Sequence, residues 1–306
     1  FFCIFHSVSA FCNAGFSTLT NGFYEAPFRF NYNIHLTIAF LIIIGGLGFS
    51  IMFNLLILVK HTLTSWYKHF IVHLVFYRQA VRVATLNTRV VIFTTVILLI
   101  VGTIAFAFFE WDGVLQEHKT LWGKFVTAFF GSVTPRTAGF NTVNMTELSR
   151  PTILVTILFM WIGASPASTG GGVKTSTFAI ALMNIFAVVR SKPRIEYAGR
   201  EIPQDSVNRA FAIIVLSWFV IGIGFTVIAQ FERNIPFLSI LFECVSAYAT
   251  VGLSLGITPQ LSDISKITLI VVMFVGRVGA ITILIGLIKD VDCKNYRYPR
   301  ESVLIN

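Results

Sequence analysis

Charge is what this sequence most lacks. Only 12% of its 306 residues are Asp, Glu, Lys or Arg, against about 25% in ordinary soluble domains, which argues against a water-facing globular chain. Acids are scarcer still, 14 against 23 Lys and Arg, leaving a net charge of +9. In a chain that is 55% hydrophobic with a mean hydropathy of +0.78, this excess points to basic loops at a membrane surface rather than to nucleic acid. The four cysteines, Cys3, Cys12, Cys244 and Cys293, are scattered with no CxxC. Neither a disulfide framework nor a zinc site is expected, and they read as small apolar residues. His69 and His73 share a helical spacing but have no third ligand nearby, so they do not make a metal site. No nucleophile–base pair stands out, so neither an enzyme nor a covalent cofactor is expected. The chain opens Phe1-Phe2-Cys3 without Met, basic leader or cleavage motif. It does not begin as a signal peptide does, and it is expected to be part of a longer protein.

Long apolar runs are abundant. Four are uninterrupted, at residues 34–59, 90–109, 211–229 and 267–288, and each is long enough for a hydrocarbon core of roughly 30 Å, which takes about 20 helical residues. None of them contains an acid. A fifth run, 151–190, has apolar halves (152–163 and 178–189) around a polar, glycine-rich stretch at 164–176. It reads as a discontinuous membrane helix whose irregular part must line protein or water. Three shorter pieces, 1–10, 121–133 and 236–247, are too short to span and read as re-entrant helices.

The short pieces lead into a repeated phrase. Ser7-Val-Ser-Ala-Phe-Cys-Asn-Ala-Gly-Phe16 matches Cys244-Val-Ser-Ala-Tyr-Ala-Thr-Val-Gly-Leu253, with a looser copy, Gly131-Ser-Val-Thr-Pro-Arg-Thr-Ala-Gly-Phe140, between them. Two spans separate successive copies, so all three return to one side of the membrane. Lys and Arg of loops 60–89, 190–209 and 289–300 number fourteen, against seven on the side of the repeated turns. By the positive-inside rule those loops are cytoplasmic and the turns open outward, in a multi-pass plasma-membrane protein. The basic loops also suit anionic lipid or a cytosolic partner.

Each copy carries a small or polar residue, a small apolar residue, Gly and a bulky apolar residue: Asn13-Ala14-Gly15-Phe16, Thr137-Ala138-Gly139-Phe140 and Thr250-Val251-Gly252-Leu253. A dehydrated monovalent cation needs a cage of oxygens, which backbone carbonyls supply when several loops converge. Glycine permits the dihedrals that aim them, and the bulky residue is expected to anchor the turn. The preceding short helices would point their negative C-termini at the cavity. The expected fold is therefore an all-α polytopic membrane protein with repeated helix–pore loop–helix units and one broken helix.

These phrases resemble the second, third and fourth filters of the Ktr/Trk/HKT superfamily of potassium transporters. The resemblance is greatest to the bacterial Ktr membrane subunit, including a tail like Tyr296-Arg-Tyr-Pro299. It implies a pseudo-fourfold pore whose first repeat and the first helix of whose second, together about 110 to 150 residues by the repeat spacing seen here, lie upstream. Residues 1–59 are then a second pore unit, 60–89 a cytoplasmic loop, 90–190 a third unit with a broken helix, 191–210 a loop, 211–290 a fourth unit and 291–306 a cytoplasmic tail. The implied cargo is K+, held by backbone carbonyls of the filter residues; sodium-permeable or sodium-coupled transport by alternating access is the alternative. Implied partners are membrane lipid, a second copy in a homodimer and a cytosolic nucleotide-binding ring. No nucleic acid is expected.

The resemblance also implies a gate beneath the filter, formed by Gly163, Ala164, Ser165, Ser168, Thr169, Gly170, Gly171, Gly172, Lys174 and Thr175, with Arg277 beside it. A polar run that cannot face lipid and carries three successive glycines suits that role. A phosphate loop is excluded because Val173 separates Gly172 from Lys174 and no strand precedes it. Arg277 lies inside an apolar run, where an ionised Arg costs at least about 2.5–3.5 kcal/mol and should face a pore or partner. The pairs Gly45-Gly46, Gly222/Gly224 and Gly276/Gly279 read as close helix packing.

Overall fold

The computed structural model describes residues 1–71 and 85–287. The middle of loop 60–89, His73 of the His69/His73 pair, the last residue of run 267–288, the tail 291–306 and Cys293 lie outside the described residues. Those described are mostly helical, and the helices are taken here in three successive groups.

The first group is α1 (Phe2–Phe11), the one-turn α2 (Ala26–Arg29), α3 (Tyr32–Leu47) and α4 (Phe49–Ile71). The second is α5 (Leu86–Glu110), α6 (Leu121–Val133), α7 (Arg150–Trp161) and α8 (Thr175–Val189). A hairpin of β1 (Glu196–Tyr197) and β2 (Arg200–Glu201) leads to the third, α9 (Gln204–Phe231), α10 (Phe237–Tyr248), α11 (Asp263–Val278) and α12 (Ala280–Leu287). Starts are set by side-chain caps: Asn31, Thr85, Thr120 and Ser262 each accept from a backbone N–H in the first turn, satisfying donors that a helix leaves orphaned.

Among the described residues two helices, α5 and α9, are long and apolar enough to cross a bilayer unaided. The α3–α4 and α11–α12 pairs are long and apolar enough only when each is taken together, and they bend by 102° and 84° at their breaks. This corrects the expectation of one broken helix: runs 34–59 and 267–288 are interrupted too. The cause is local. Gly48 and Gly279 sit at φ 78° and 90°, in the left-handed region that ends a helix and that glycine enters without penalty. The second helix of every group therefore breaks, at a single glycine in two cases and across a longer loop in the third.

The packing glycines behave as expected at Gly45 and Gly276. A Cβ at Gly45 would lie 2.9 Å from the Phe11 carbonyl carbon, and one at Gly276 would lie 2.6 Å from that of Tyr248. Both glycines bring the inner helix onto the end of its short helix, α1 and α10 respectively. A Cβ at Gly224 would lie 2.8 Å from Val272 Cγ2, whereas one at Gly222 would meet nothing within 4 Å. Polar residues such as Ser217, Thr127 and Ser165 are wholly buried while Phe49, Phe108 and Val189 are 80, 77 and 76% exposed. That inversion fits a hydrocarbon surround.

Candidate ion pathway

The three repeated turns share one backbone conformation. Asn13, Thr137 and Thr250 have φ of 50°, 68° and 53°; two residues on, Gly15, Gly139 and Gly252 have 72°, 80° and 89°. A left-handed non-glycine residue is uncommon, and three at equivalent positions mark a shared device. The outer copies match bond for bond. Asn13 N–H donates to Ala10 O (3.1 Å) and Ala14 N–H to Ser9 O (2.9 Å), as Thr250 N–H does to Ala247 O (3.0 Å) and Val251 N–H to Ser246 O (2.9 Å). In the middle copy Pro135 alters the pattern, and Ala138 N–H donates to Thr134 O at 3.1 Å.

The turns also meet. A Cβ at Gly15 would lie 3.2 Å from Gly139 Cα and would overlap the Ala138 carbonyl; one at Gly139 would overlap the Val251 carbonyl. Each glycine thus faces the backbone of the next turn, where only a hydrogen fits, while Gly252 has nothing within 4 Å. With its amide oxygen turned to Thr137, Asn13 accepts from that hydroxyl at 3.2 Å and donates to the Ala10 and Ile42 carbonyls at 3.1 and 3.2 Å. The bulky residues divide. Phe140 and Leu253 are buried, the former against Phe23 at 5.4 Å between ring centroids, but Phe16 is 71% exposed. The expected anchor fails there because no described element covers the ring. Backbone anchoring replaces it: the Ser9 hydroxyl donates to Phe16 O at 2.8 Å, and the Thr134 hydroxyl donates to Phe140 O.

Further anchors were not assigned from sequence. The Ser17 hydroxyl meets His6 Nε2 at 2.9 Å, and Ser254 bonds the buried Glu243 carboxylate, which also accepts from Thr258 at 2.7 Å. Aligning the outer copies puts His6 on Glu243 and Ser17 on Ser254, so the short helix clasps the residue two past the glycine in both. Arg136 was likewise passed over. It is buried where the other copies hold Cys12 and Ala249, in a small cavity with Thr95, Gly46 and Ala164, and its closest polar contact is Thr95 Oγ1 at 3.5 Å. A charge at one copy of an otherwise uncharged repeat was the available signal.

Beneath the turns lies the loop between α7 and α8. Its base is closed by Gly163 N–H to Val173 O (2.9 Å) and Thr175 N–H to Ala164 O (3.2 Å). A Cβ at Gly170 would come within 3.0 Å of Thr137 Cβ, and one at Gly171 within 2.9 Å of Thr250 Cγ2. The glycines are therefore required by space: they lie directly under the left-handed residues of two turns, and Gly172 packs on Ala249. Ser165 fastens the loop to the broken end of α3, its N–H and hydroxyl donating to Gly46 O at 3.1 and 2.9 Å and its hydroxyl also to Leu47 O. Those carbonyls lack helical partners. Ser168 closes the loop on Ser165 O at 2.6 Å, and Lys174 Nζ donates to Gly170 O. Arg277, one residue from the end of α11, donates to Thr169 O. The hydroxyls of Thr169, Thr175 and Thr250 are buried without a partner, a cost of about 1–3 kcal/mol each unless water or an ion meets them.

On the side of the repeated turns a polar clasp joins the first two groups. Arg29 pairs with Glu117, which accepts from Tyr24 at 3.2 Å; His118 lies between the Tyr32 hydroxyl (3.1 Å) and the Thr127 hydroxyl (3.2 Å). Burial, with Arg29 and Lys124 nearby, lowers the His118 pKa to about 4.

The cation transport protein family TrkH matches residues 1–297. The chain is 34% identical to Ktr system potassium uptake protein B of Vibrio alginolyticus, over 99% of this chain and 62% of that protein. It is 35% identical to the potassium/sodium uptake protein NtpJ of Enterococcus hirae, over 99% and 64%. It thus spans somewhat less than two thirds of these relatives' length. The crystal structure of the potassium transporter TrkH from Vibrio parahaemolyticus superposes with a TM-score of 0.70 at 21% identity, covering 94% of this chain and 58% of that one; the fold is shared.

Proposed function

Because the chain belongs to the TrkH cation transport family, we propose that it forms most of a potassium uptake protein, with K+ passing along the line where turns 13–16, 137–140 and 250–253 meet. The observation that carries this reading is the shared alternation of left-handed residues in turns that touch glycine to backbone. Such alternation rotates successive peptide planes, so that neighbouring carbonyls can face one side. A row of carbonyls on each wall is what a dehydrated cation needs. The C-termini of α1, α6 and α10 lead into the turns and add partial negative charge.

Gly252 has an open side, and the relatives are longer than this chain. A fourth turn, completing a pseudo-fourfold filter, is proposed to stand against it in the full-length protein. The loop 163–175 is the gate: it lies under two of the turns, and Lys174 and Arg277 hold its carbonyls. Opening breaks the Arg277 and Ser165 bonds and withdraws the positive charge from the path. The unpartnered Thr169 and Thr250 hydroxyls are the polar groups that water or ion would meet there. The turns face outward and the basic loops the cytoplasm, where a nucleotide-binding ring acts on a dimer of this subunit. Sodium-coupled alternating access is not favoured, since the apolar runs hold no acid and the buried Glu110 and Glu243 are engaged with backbone N–H and hydroxyl donors. The test is growth of cells deprived of their own potassium uptake: the full-length protein rescues them in low potassium. Absence of rescue by a protein shown to be in the membrane would sink the proposal.

A further inference from the structure

Away from the ion path, α5 and α8 pack side by side and leave an apolar groove of about 280 Å³ on the outer surface. Its walls include Phe93, Ile97, Leu182 and Phe186, which are 58, 42, 38 and 63% exposed. The stretch of α5 from Val90 to Leu98 that lines it rises about 12 Å at 1.5 Å per residue, close to one leaflet of a hydrocarbon core roughly 30 Å thick. At the end remote from the filter turns the groove meets a second pocket of about 190 Å³, bordered by three cations, Arg190, Lys192 and Arg194, and one acid, Glu196, with Met183, Phe186 and Tyr197 common to both.

That basic mouth is preformed. The α8 helix ends with Ser191 left-handed at φ 52° and Lys192 N–H bonded to Ala187 O at 2.9 Å, a closure that fixes where both cations leave the helix. The hairpin behind it turns on Ala198 and Gly199, at φ 53° and 71°, and is seated by buried Ile195 and Ile202. Arg194 is paired with Glu201 at 3.3 Å. Among the described residues, neither Arg190 nor Lys192 has a carboxylate partner.

We propose that groove and mouth together bind one anionic phospholipid, an acyl chain lying between α5 and α8 and the phosphate against Arg190 and Lys192. Two arguments favour this occupant. The groove opens sideways at hydrocarbon depth, where a water-soluble protein does not reach, and it continues without a break into the positive mouth, as basic pockets between membrane helices do when they take lipid headgroups. Only the choice of leaflet, the cytoplasmic one, rests on the orientation proposed above.

Native mass spectrometry of the detergent-purified full-length protein tests it, with phosphatidylglycerol, phosphatidylcholine of the same chains, and soluble glycerol phosphate as probes. The wild type should retain one phosphatidylglycerol in preference to phosphatidylcholine and no glycerol phosphate. The Arg190→Gln/Lys192→Gln variant should lose that preference by roughly tenfold or more, two cations at the surface being removed. Leu182→Trp, which fills the groove, should lose both lipids; should it not fold, the charge variant decides. Undiminished phosphatidylglycerol preference in the charge variant would overturn the site. So would glycerol phosphate binding as well as the lipid, or cysteine cross-links at Phe93 and Phe186 that join two copies and exclude lipid. None of these readouts involves potassium flux, so failure here is distinct from failure of the transport proposal.

Discussion

Replacing Gly139 with Ala tests how tightly the turns converge. Gly139 has φ 80°, where an alanine costs roughly 1–2 kcal/mol by backbone strain alone. The new methyl group would also be 3.5 Å from Gly15 Cα and would overlap the Val251 carbonyl, one of the oxygens proposed to hold the ion. Relief requires the Thr250–Val251 backbone to move by a few tenths of an ångström or more, in a wall whose spacing sets ion binding. Total destabilisation should reach about 2–4 kcal/mol, in the range of a strained and overpacked site. Conduction should fall at least tenfold. Gly222→Ala is the control: that glycine is helical, faces nothing within 4 Å, and should gain up to about 1 kcal/mol in helix propensity. Both variants are assayed by rubidium or potassium flux into proteoliposomes containing the full-length protein, with thermal unfolding in detergent. Wild-type flux through Gly139→Ala would refute the convergence argument.

Other consequences follow from the same contacts. Ser165→Ala strips the hydroxyl that two end carbonyls of α3 share; at about 1–3 kcal/mol for a buried acceptor left without its partner, gate opening should rise some 5- to 150-fold, read as single-channel or flux activity. Arg277→Ala removes the cation holding Thr169 O and should raise flux, and an unchanged rate would remove Arg277 from the gate. The His118 clasp predicts acid sensitivity. Its folded pKa is lowered to about 4 from 6.5, so between those values the unfolded chain binds more protons and stability rises with pH. The contribution, at most roughly 3 kcal/mol, is present above pH 6.5 and lost as pH falls towards 4. His118→Gln should flatten the unfolding temperature across that window.

The repeated phrase was the most legible part of the molecule, because a turn that needs a left-handed residue, then a glycine two positions on, writes its requirement into single residues. The broken run 151–190 was legible too, since thirteen polar and small residues inside an apolar segment have few other readings. The breaks at Gly48 and Gly279 were hidden. Each is one glycine in an apolar context that also contains the packing glycines Gly45 and Gly276, and only φ distinguishes the two uses. Phe16 misled for a different reason: burial depends on what covers a residue, and the repeat phrase records the turn but not its cover. Arg136, His6 and Glu243 act behind the turns, where partners such as Ser17 and Thr258 lie 11 and 15 residues away. Aligning the copies outward from the glycines would have exposed two of the three.

The three turns are proposed to be walls of a potassium path. The most direct measurement is ion flux into proteoliposomes holding the full-length protein, with K+ and Na+ gradients imposed separately. Such a path gives K+ flux down its own gradient, larger than Na+ flux, without any need for a sodium or proton gradient, and lowered at least tenfold by Gly139→Ala. Flux that requires a sodium gradient, or that stays at the wild-type rate in that variant, would contradict it.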